Sequence, residues 1–137
     1  MNRILMDTGP LVAVLSPDER NHQICVSLLH SLPSPLVTCW PVITEAMWLL
    51  RKAPWAVKKL LSAISSGVLE IPAVTAAEAA QIEAIMDRYA SLRPKFADAM
   101  VVYLAHRENI EIIFTLDRRD FSVYRNARNR PFQLIPS

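Results

Sequence analysis

Asp7, Glu45, Asp98 and Asp117 stand where a folded chain ordinarily places an apolar or neutral residue. Asp7 ends the run Arg3-Ile4-Leu5-Met6, which reads as a short buried strand, and Thr8-Gly9-Pro10 follows it. Glu45 has Val42 three residues before it and Trp48 and Leu49 three and four after, so on a helix it projects from the apolar face. Asp98 repeats the pattern, with Val101, Val102 and Ala105 on its own side. Asp117 follows a second strand-like run, Ile112-Ile113-Phe114-Thr115. Buried carboxylates are costly unless paired, hydrogen-bonded or bound to a metal. Four of them, without evident basic partners, predict a divalent-cation site. Oxygen donors without His or Cys favour Mg²⁺ or Mn²⁺ over zinc. Such ions polarise a phosphate, activate water and stabilise a leaving oxygen, which is phosphoryl chemistry.

The elements that must position these acids follow from hydrophobic spacing and from the ten prolines, which punctuate rather than cluster. Strand 3–7 precedes a short helix over 10–15 and a longer one over about 20–31. A strand at 36–39 leads into Trp40-Pro41, where proline can open the helix 41–52 that carries Glu45. Helix 55–65 ends at Gly67, a C-cap, and Val68-Leu69-Glu70-Ile71 makes a third strand. Thr75 and Glu78 form a capping box for a helix through Ile82, Ile85, Met86 and Tyr89. Pro94 precedes the helix of Asp98; strands at 111–115 and 132–135 complete the pattern. Strands alternating with helices imply parallel crossovers and a three-layer α/β/α sandwich around a parallel sheet. Ligands gather at the carboxyl ends of such strands, where Asp7 and Asp117 would emerge.

Composition is consistent with one domain over residues 1–137, since 52% hydrophobic content supports a sizeable core. No apolar run reaches the roughly 20 residues that span a membrane. The N-terminus enters a strand without a secretory h-region, and Cys25 and Cys39 lack metal-type spacing. Both features fit a cytoplasmic protein with reduced cysteines. A net charge of +2 is too small to argue for nucleic acid, but Arg118, Arg119, Arg125, Arg128 and Arg130 crowd the C-terminal stretch. A basic patch beside an acidic centre suits a polyanion, and a solvated basic tail is the alternative.

Met6-Asp7-Thr8-Gly9-Pro10-Leu11, Thr44-Glu45-Ala46, Phe96-Ala97-Asp98-Ala99 and Thr115-Leu116-Asp117-Arg118-Arg119-Asp120-Phe121 together resemble the PIN domain, and more narrowly the VapC-type ribonuclease toxins. No single piece is specific; the ordered set is. The resemblance spans essentially the whole chain and implies a Mg²⁺- or Mn²⁺-dependent ribonuclease, cleaving specific RNAs and inhibited by a cognate antitoxin. Carried over by position, Asp7, Glu45, Asp98 and Asp117 form the acidic site, with Asp7, Asp98 and Asp117 on the metal. Asp120 would support them, Thr8 and Thr115 would orient carboxylates or water, and Arg118 and Arg119 would hold substrate phosphates. The resemblance also implies a homodimer, with Trp55 a candidate antitoxin contact.

Each acid also has a structural role open to it. Asp7 could cap the following helix, Glu45 could turn to the surface, Asp98 could favour its helix dipole, and Asp117 and Asp120 could be turn residues. His22, His30 and His106 sit at helix ends and fit capping or surface roles. Trp40, Trp48 and Trp55 could stack bases, but their apolar neighbours favour core or interface packing. Two functions from other classes compete. A phosphate-receiver domain would need a paired acid after strand one and a late lysine, yet no lysine follows Lys95. A non-catalytic or RNA-processing PIN domain would bind RNA or protein instead.

Overall fold

In the computed structural model, which describes residues 3–137, Ile4, Leu5 and Met6 form strand β1 (Ile4–Met6) and all three are buried. Successive strand residues point to opposite faces, so helices must cover both. β1 lies at the centre of a five-stranded sheet with β2 (Leu36–Val37) and β3 (Leu69–Glu70) on one side and β4 (Ile112–Phe114) and β5 (Gln133–Ile135) on the other. Every pairing is parallel; Leu5 faces Val37 across one edge and Ile113 across the other. The chain runs outward from β1 through β2 to β3, then returns to β4 beside β1. That reversal creates a switch point between the carboxyl ends of β1 and β4.

Seven α-helices flank the sheet among the described residues: α1 (Thr8–Leu15), α2 (His22–Ser31), α3 (Trp40–Leu49), α4 (Pro54–Ser65), α5 (Ala79–Arg88), α6 (Phe96–Arg107) and α7 (Arg118–Phe121). The α/β sandwich with its parallel sheet is the expected one, and the differences are local. α1 starts at Thr8, two residues earlier than predicted, because Pro10 sits in the first turn where its missing N–H is not needed. β2 ends at Val37, yet the Thr38 amide still reaches the Glu70 carbonyl at 3.0 Å and its buried hydroxyl donates to the Met6 carbonyl at 2.9 Å. Gly67 takes a left-handed φ of 86° after α4, as a C-cap glycine should. The short α7 and the 3₁₀ turn Ala90–Leu92 have no signature in the sequence.

α6 is the most buried helix that bears an acid: Ala97 and every residue from Ala99 to Ala105 lie in the core. Glu78 anchors it from outside. Its carboxylate accepts the Thr75 amide at 2.7 Å, closing the predicted capping box, and also accepts the Tyr103 hydroxyl and the Arg107 guanidinium of α6. These donors, Tyr103 foremost, hold the Glu78 carboxyl down at about 2.

Candidate active site

Asp7 leaves β1 at the N-cap of α1 and is 7% exposed. Its amide pairs with the Phe114 carbonyl at 2.9 Å, and its Oδ2 accepts the Thr115 hydroxyl at 2.8 Å. The same Thr115 oxygen accepts the Asp117 amide at 3.0 Å. Asp117 in turn caps α7, with Oδ1 accepting the Asp120 amide at 3.1 Å. One buried hydroxyl thus sets the spacing of two acidic segments. Gly9 allows their close approach: a Cβ there would stand 3.3 Å from Cβ of Leu116.

Burial pushes the Asp7 carboxyl up to about 6, against the favourable Thr8 amide and Thr115 hydroxyl, and the charges of Asp98 and Glu45 add to the rise. Asp98 is half-buried in the first turn of α6, and its Oδ2 accepts the Lys95 amide at 3.0 Å. Its pKa is raised too, by burial first and then by Asp117 and Glu45, against the Lys95 amide. Asp7 and Asp98 therefore lie in the fields of their acidic neighbours at the switch point. Glu45 is half-buried in an apolar cleft of about 810 Å³ that also touches Trp40, Trp48, Phe96 and Lys95. Its helix face differs from expectation: Val42 is buried, but Trp48 is 63% and Leu49 55% exposed.

Among the described residues, no three Asp, Glu, His or Cys side chains are gathered tightly enough to hold an ion in this arrangement. The donor set nonetheless fits a hard divalent cation. It is all oxygen, and the ion pairs found among the described residues leave Asp7, Glu45, Asp98 and Asp117 out. Beside Asp7, the buried Thr8 hydroxyl has no hydrogen-bond partner among the described residues. Drawing the other acids in on Asp7 adds like charge, which a cation offsets.

The expected basic patch is divided by the fold. Arg118 and Arg119 follow Asp117 at the carboxyl end of the sheet, both exposed, and Arg118 donates to the Pro136 carbonyl at 2.6 Å. Arg128 and Arg130 instead line a second cleft with Arg3, Glu108, Glu111 and Gln133, at the amino ends of β4 and β5. Arg125 is committed to the carbonyls of Ser122, Val123 and Tyr124. The tryptophans are not core residues either: Trp40, Trp48 and Trp55 are each more than half exposed, and Arg51 stacks on Trp48 at 3.9 Å. His22 and His106 bond the carbonyls of Ala13 and Arg125, both at 2.7 Å, which are structural roles. Cys25 and Cys39 are buried free thiols.

Sequence reasoning missed Tyr124. Its hydroxyl is the other buried side-chain polar atom without a protein partner among the described residues, and it lies in the field of Asp98, Asp120, Asp117 and Asp7. Val123-Tyr124-Arg125 carries no pattern that announces this.

The PIN domain family profile matches residues 4–127. Ribonuclease VapC26 of Mycobacterium tuberculosis is 32% identical over 135 residues, covering 97% of this chain and all of that protein. The crystal structure of M. tuberculosis VapC20, described as a sarcin-ricin loop cleaving toxin, superposes with a TM-score of 0.77 at 21% identity, over 85% of this chain and 91% of that one. A toxin–antitoxin complex from Klebsiella pneumoniae gives 0.66 at 20% identity, over 88% and 91%. At that identity the two structures speak for the fold, and the profile and the curated relative speak for the family: the chain belongs to the PIN domain family.

Proposed function

We propose that this chain is a metal-dependent endoribonuclease that hydrolyses RNA phosphodiester bonds, and that it acts in the cytoplasm as the toxin of a type II toxin–antitoxin pair. What supports the chemistry is Asp7, buried at the β1/β4 switch point and tied through the Thr115 hydroxyl to the Asp117 segment, with Asp98 and Glu45 among the charges that raise its carboxyl. The family membership and the ribonuclease name of VapC26 support RNA as substrate. The Klebsiella complex supports a protein antitoxin as partner.

In this reading Asp7, Asp98 and Asp117 hold Mg²⁺ or Mn²⁺. When bound, the ion neutralises phosphate charge, acidifies water and stabilises the departing oxygen. Thr115 keeps Asp7 and the Asp117 backbone in fixed relation, so the ligands need little reorganisation. Glu45 enters from the cleft wall and takes a proton from the attacking water on a carboxylate oxygen. Asp120 extends the acidic edge, its backbone amide donating to Asp117 Oδ1. Arg118 and Arg119 hold phosphates flanking the scissile bond. The working form is a homodimer, and Trp55, 53% exposed on α4, belongs to the antitoxin contact.

Purified protein incubated with structured RNA tests the enzyme. Cleavage should require Mg²⁺ or Mn²⁺, stop with chelator and resume on metal addition. Cleavage indifferent to chelator would overturn the metal-site reading, and RNA binding without cleavage would favour a non-catalytic PIN module. Expression alone should arrest growth, and co-expression of a small neighbouring antitoxin gene should relieve it.

A further inference from the structure

Thr8 Oγ1 and Tyr124 Oη are the buried side-chain polar atoms left without a hydrogen-bond partner among the described residues. Thr8 adjoins Asp7 in sequence, whereas Tyr124 lies in the segment after α7. Its ring is fixed by edge-on packing against Tyr89 and Phe121, with centroids 4.9 Å away in each case. Its amide donates to the Asp120 carbonyl at 3.2 Å, which ties the residue to the Asp117 turn. Phenylalanine would make the same ring contacts. A buried hydroxyl without a partner is destabilising against that alternative, so it needs a reason to be there.

The surroundings supply one. Burial pushes the Tyr124 phenol far up, and the charges of Asp98, Asp120, Asp117 and Asp7 push it further, Asp98 most. The hydroxyl therefore keeps its proton in the field of these carboxylates. Asp98 uses Oδ2 for the Lys95 amide and leaves Oδ1 without a protein hydrogen bond among the described residues. We propose that Tyr124 is a positioning residue of the acidic site: its hydroxyl donates through an ordered water to the carboxylate of Asp98, and so holds Asp98 oriented for the divalent ion. The proposal rests on the metal-dependent reading above. Tyr124 touches neither the substrate nor the ion; it acts through Asp98, as outer hydrogen-bond partners of metal ligands do.

Tyr124→Phe removes one oxygen and keeps the ring packing. Calorimetric titration with Mn²⁺ should show affinity weakened about tenfold, with kcat falling by a similar factor and KM for RNA unchanged. The melting temperature in chelator should equal or exceed the wild type's. Tyr89→Phe is the packing control, since the Tyr89 hydroxyl accepts the Arg125 amide at 3.0 Å; its Mn²⁺ affinity should match the wild type's. Unchanged Mn²⁺ affinity in Tyr124→Phe would overturn the proposal, as would a lowered melting temperature in chelator or equal weakening in Tyr89→Phe. A wild type that binds no Mn²⁺ would overturn the metal-dependent reading itself, a result distinct from wild type and Tyr124→Phe binding equally.

Discussion

The Thr115 hydroxyl donates to Asp7 at 2.8 Å across 108 residues of sequence, fastening the end of β1 to the end of β4. The bond is buried, and its oxygen simultaneously receives the Asp117 amide. Thr115→Val keeps the shape and removes both functions. The buried Asp7 carboxylate and the partly buried Asp117 amide each lose a partner, so stability should fall by about 1–3 kcal/mol. Mn²⁺ affinity and RNA cleavage should fall about 10- to 100-fold, while Thr115→Ser retains most of both. Denaturant melts and metal titration of the two variants check this; a Val variant with native Mn²⁺ affinity would remove Thr115 from the site.

Asp7 makes stability depend on pH in an unusual direction. Its folded pKa, about 6, lies above the ordinary 3.8, so its contribution favours folding below pH 4 and is lost as pH rises through 6. The loss at neutral pH is on the order of 3 kcal/mol. Asp98, also raised, acts in the same sense. Metal-free protein should therefore lose stability between pH 4 and pH 7, and Mg²⁺ or Mn²⁺ should restore it by binding the folded form. In Asp7→Asn much of that slope should vanish, with a metal-free melting temperature at pH 7 equal to or above the wild type's and a weak response to Mn²⁺. Melts across pH with chelator and with Mn²⁺ read both effects; a purely capping role for Asp7 predicts a less stable variant with its Mn²⁺ response intact.

Glu78 works in the opposite sense, bonded to Thr75, Tyr103 and Arg107 rather than to the acids. Its pKa is held at about 2, so its contribution is present above the ordinary carboxylate range and is lost as pH falls toward 2. Glu78→Gln weakens the ties to Tyr103 and Arg107 and should lower the melting temperature at pH 7. Mn²⁺ affinity should stay close to native. A large loss of Mn²⁺ affinity would show that α6 depends on this anchor to place Asp98.

Because the fold separates the arginines, the two beside Asp117 can be tested apart from the rest. Arg119→Ala should weaken RNA binding across sequences and reduce its salt dependence by about one phosphate contact. Arg130→Ala, at the amino end of the sheet, should leave the salt slope unchanged. Arg118→Ala should also loosen the C-terminal segment, since its guanidinium holds the Pro136 carbonyl. Binding isotherms over a salt series measure all three; equal slopes for wild type and Arg119→Ala would make Arg119 an ordinary surface charge.

Much of this architecture was legible because apolar runs and their punctuation act locally. Ile4-Leu5-Met6 and Ile112-Ile113-Phe114 are strands on composition alone, and Pro41, Gly67 and Thr75 mark boundaries through backbone geometry. The acids at strand ends drew notice by being out of character with their neighbours. What failed depended on contacts remote in sequence. Spacing put Trp48 and Leu49 on an apolar face of α3 with Val42, but nothing local says how far other elements cover that face: Val42 is buried, and Trp48 and Leu49 are left exposed. Arg118 and Arg130 are close in sequence, and the passage of the chain from one end of the sheet to the other parts them. Tyr124 becomes notable only when its partners are counted, because an aromatic residue in an apolar setting reads as core.

RNA cleavage by Asp98→Asn at saturating Mn²⁺ tests the central claim most directly. The substitution preserves size and leaves an oxygen for the Lys95 amide, while removing one charge from the acidic site. The account predicts a folded protein whose cleavage rate is at least ~100-fold below the wild type's, with RNA binding retained. Cleavage at the wild-type rate by folded Asp98→Asn would contradict it.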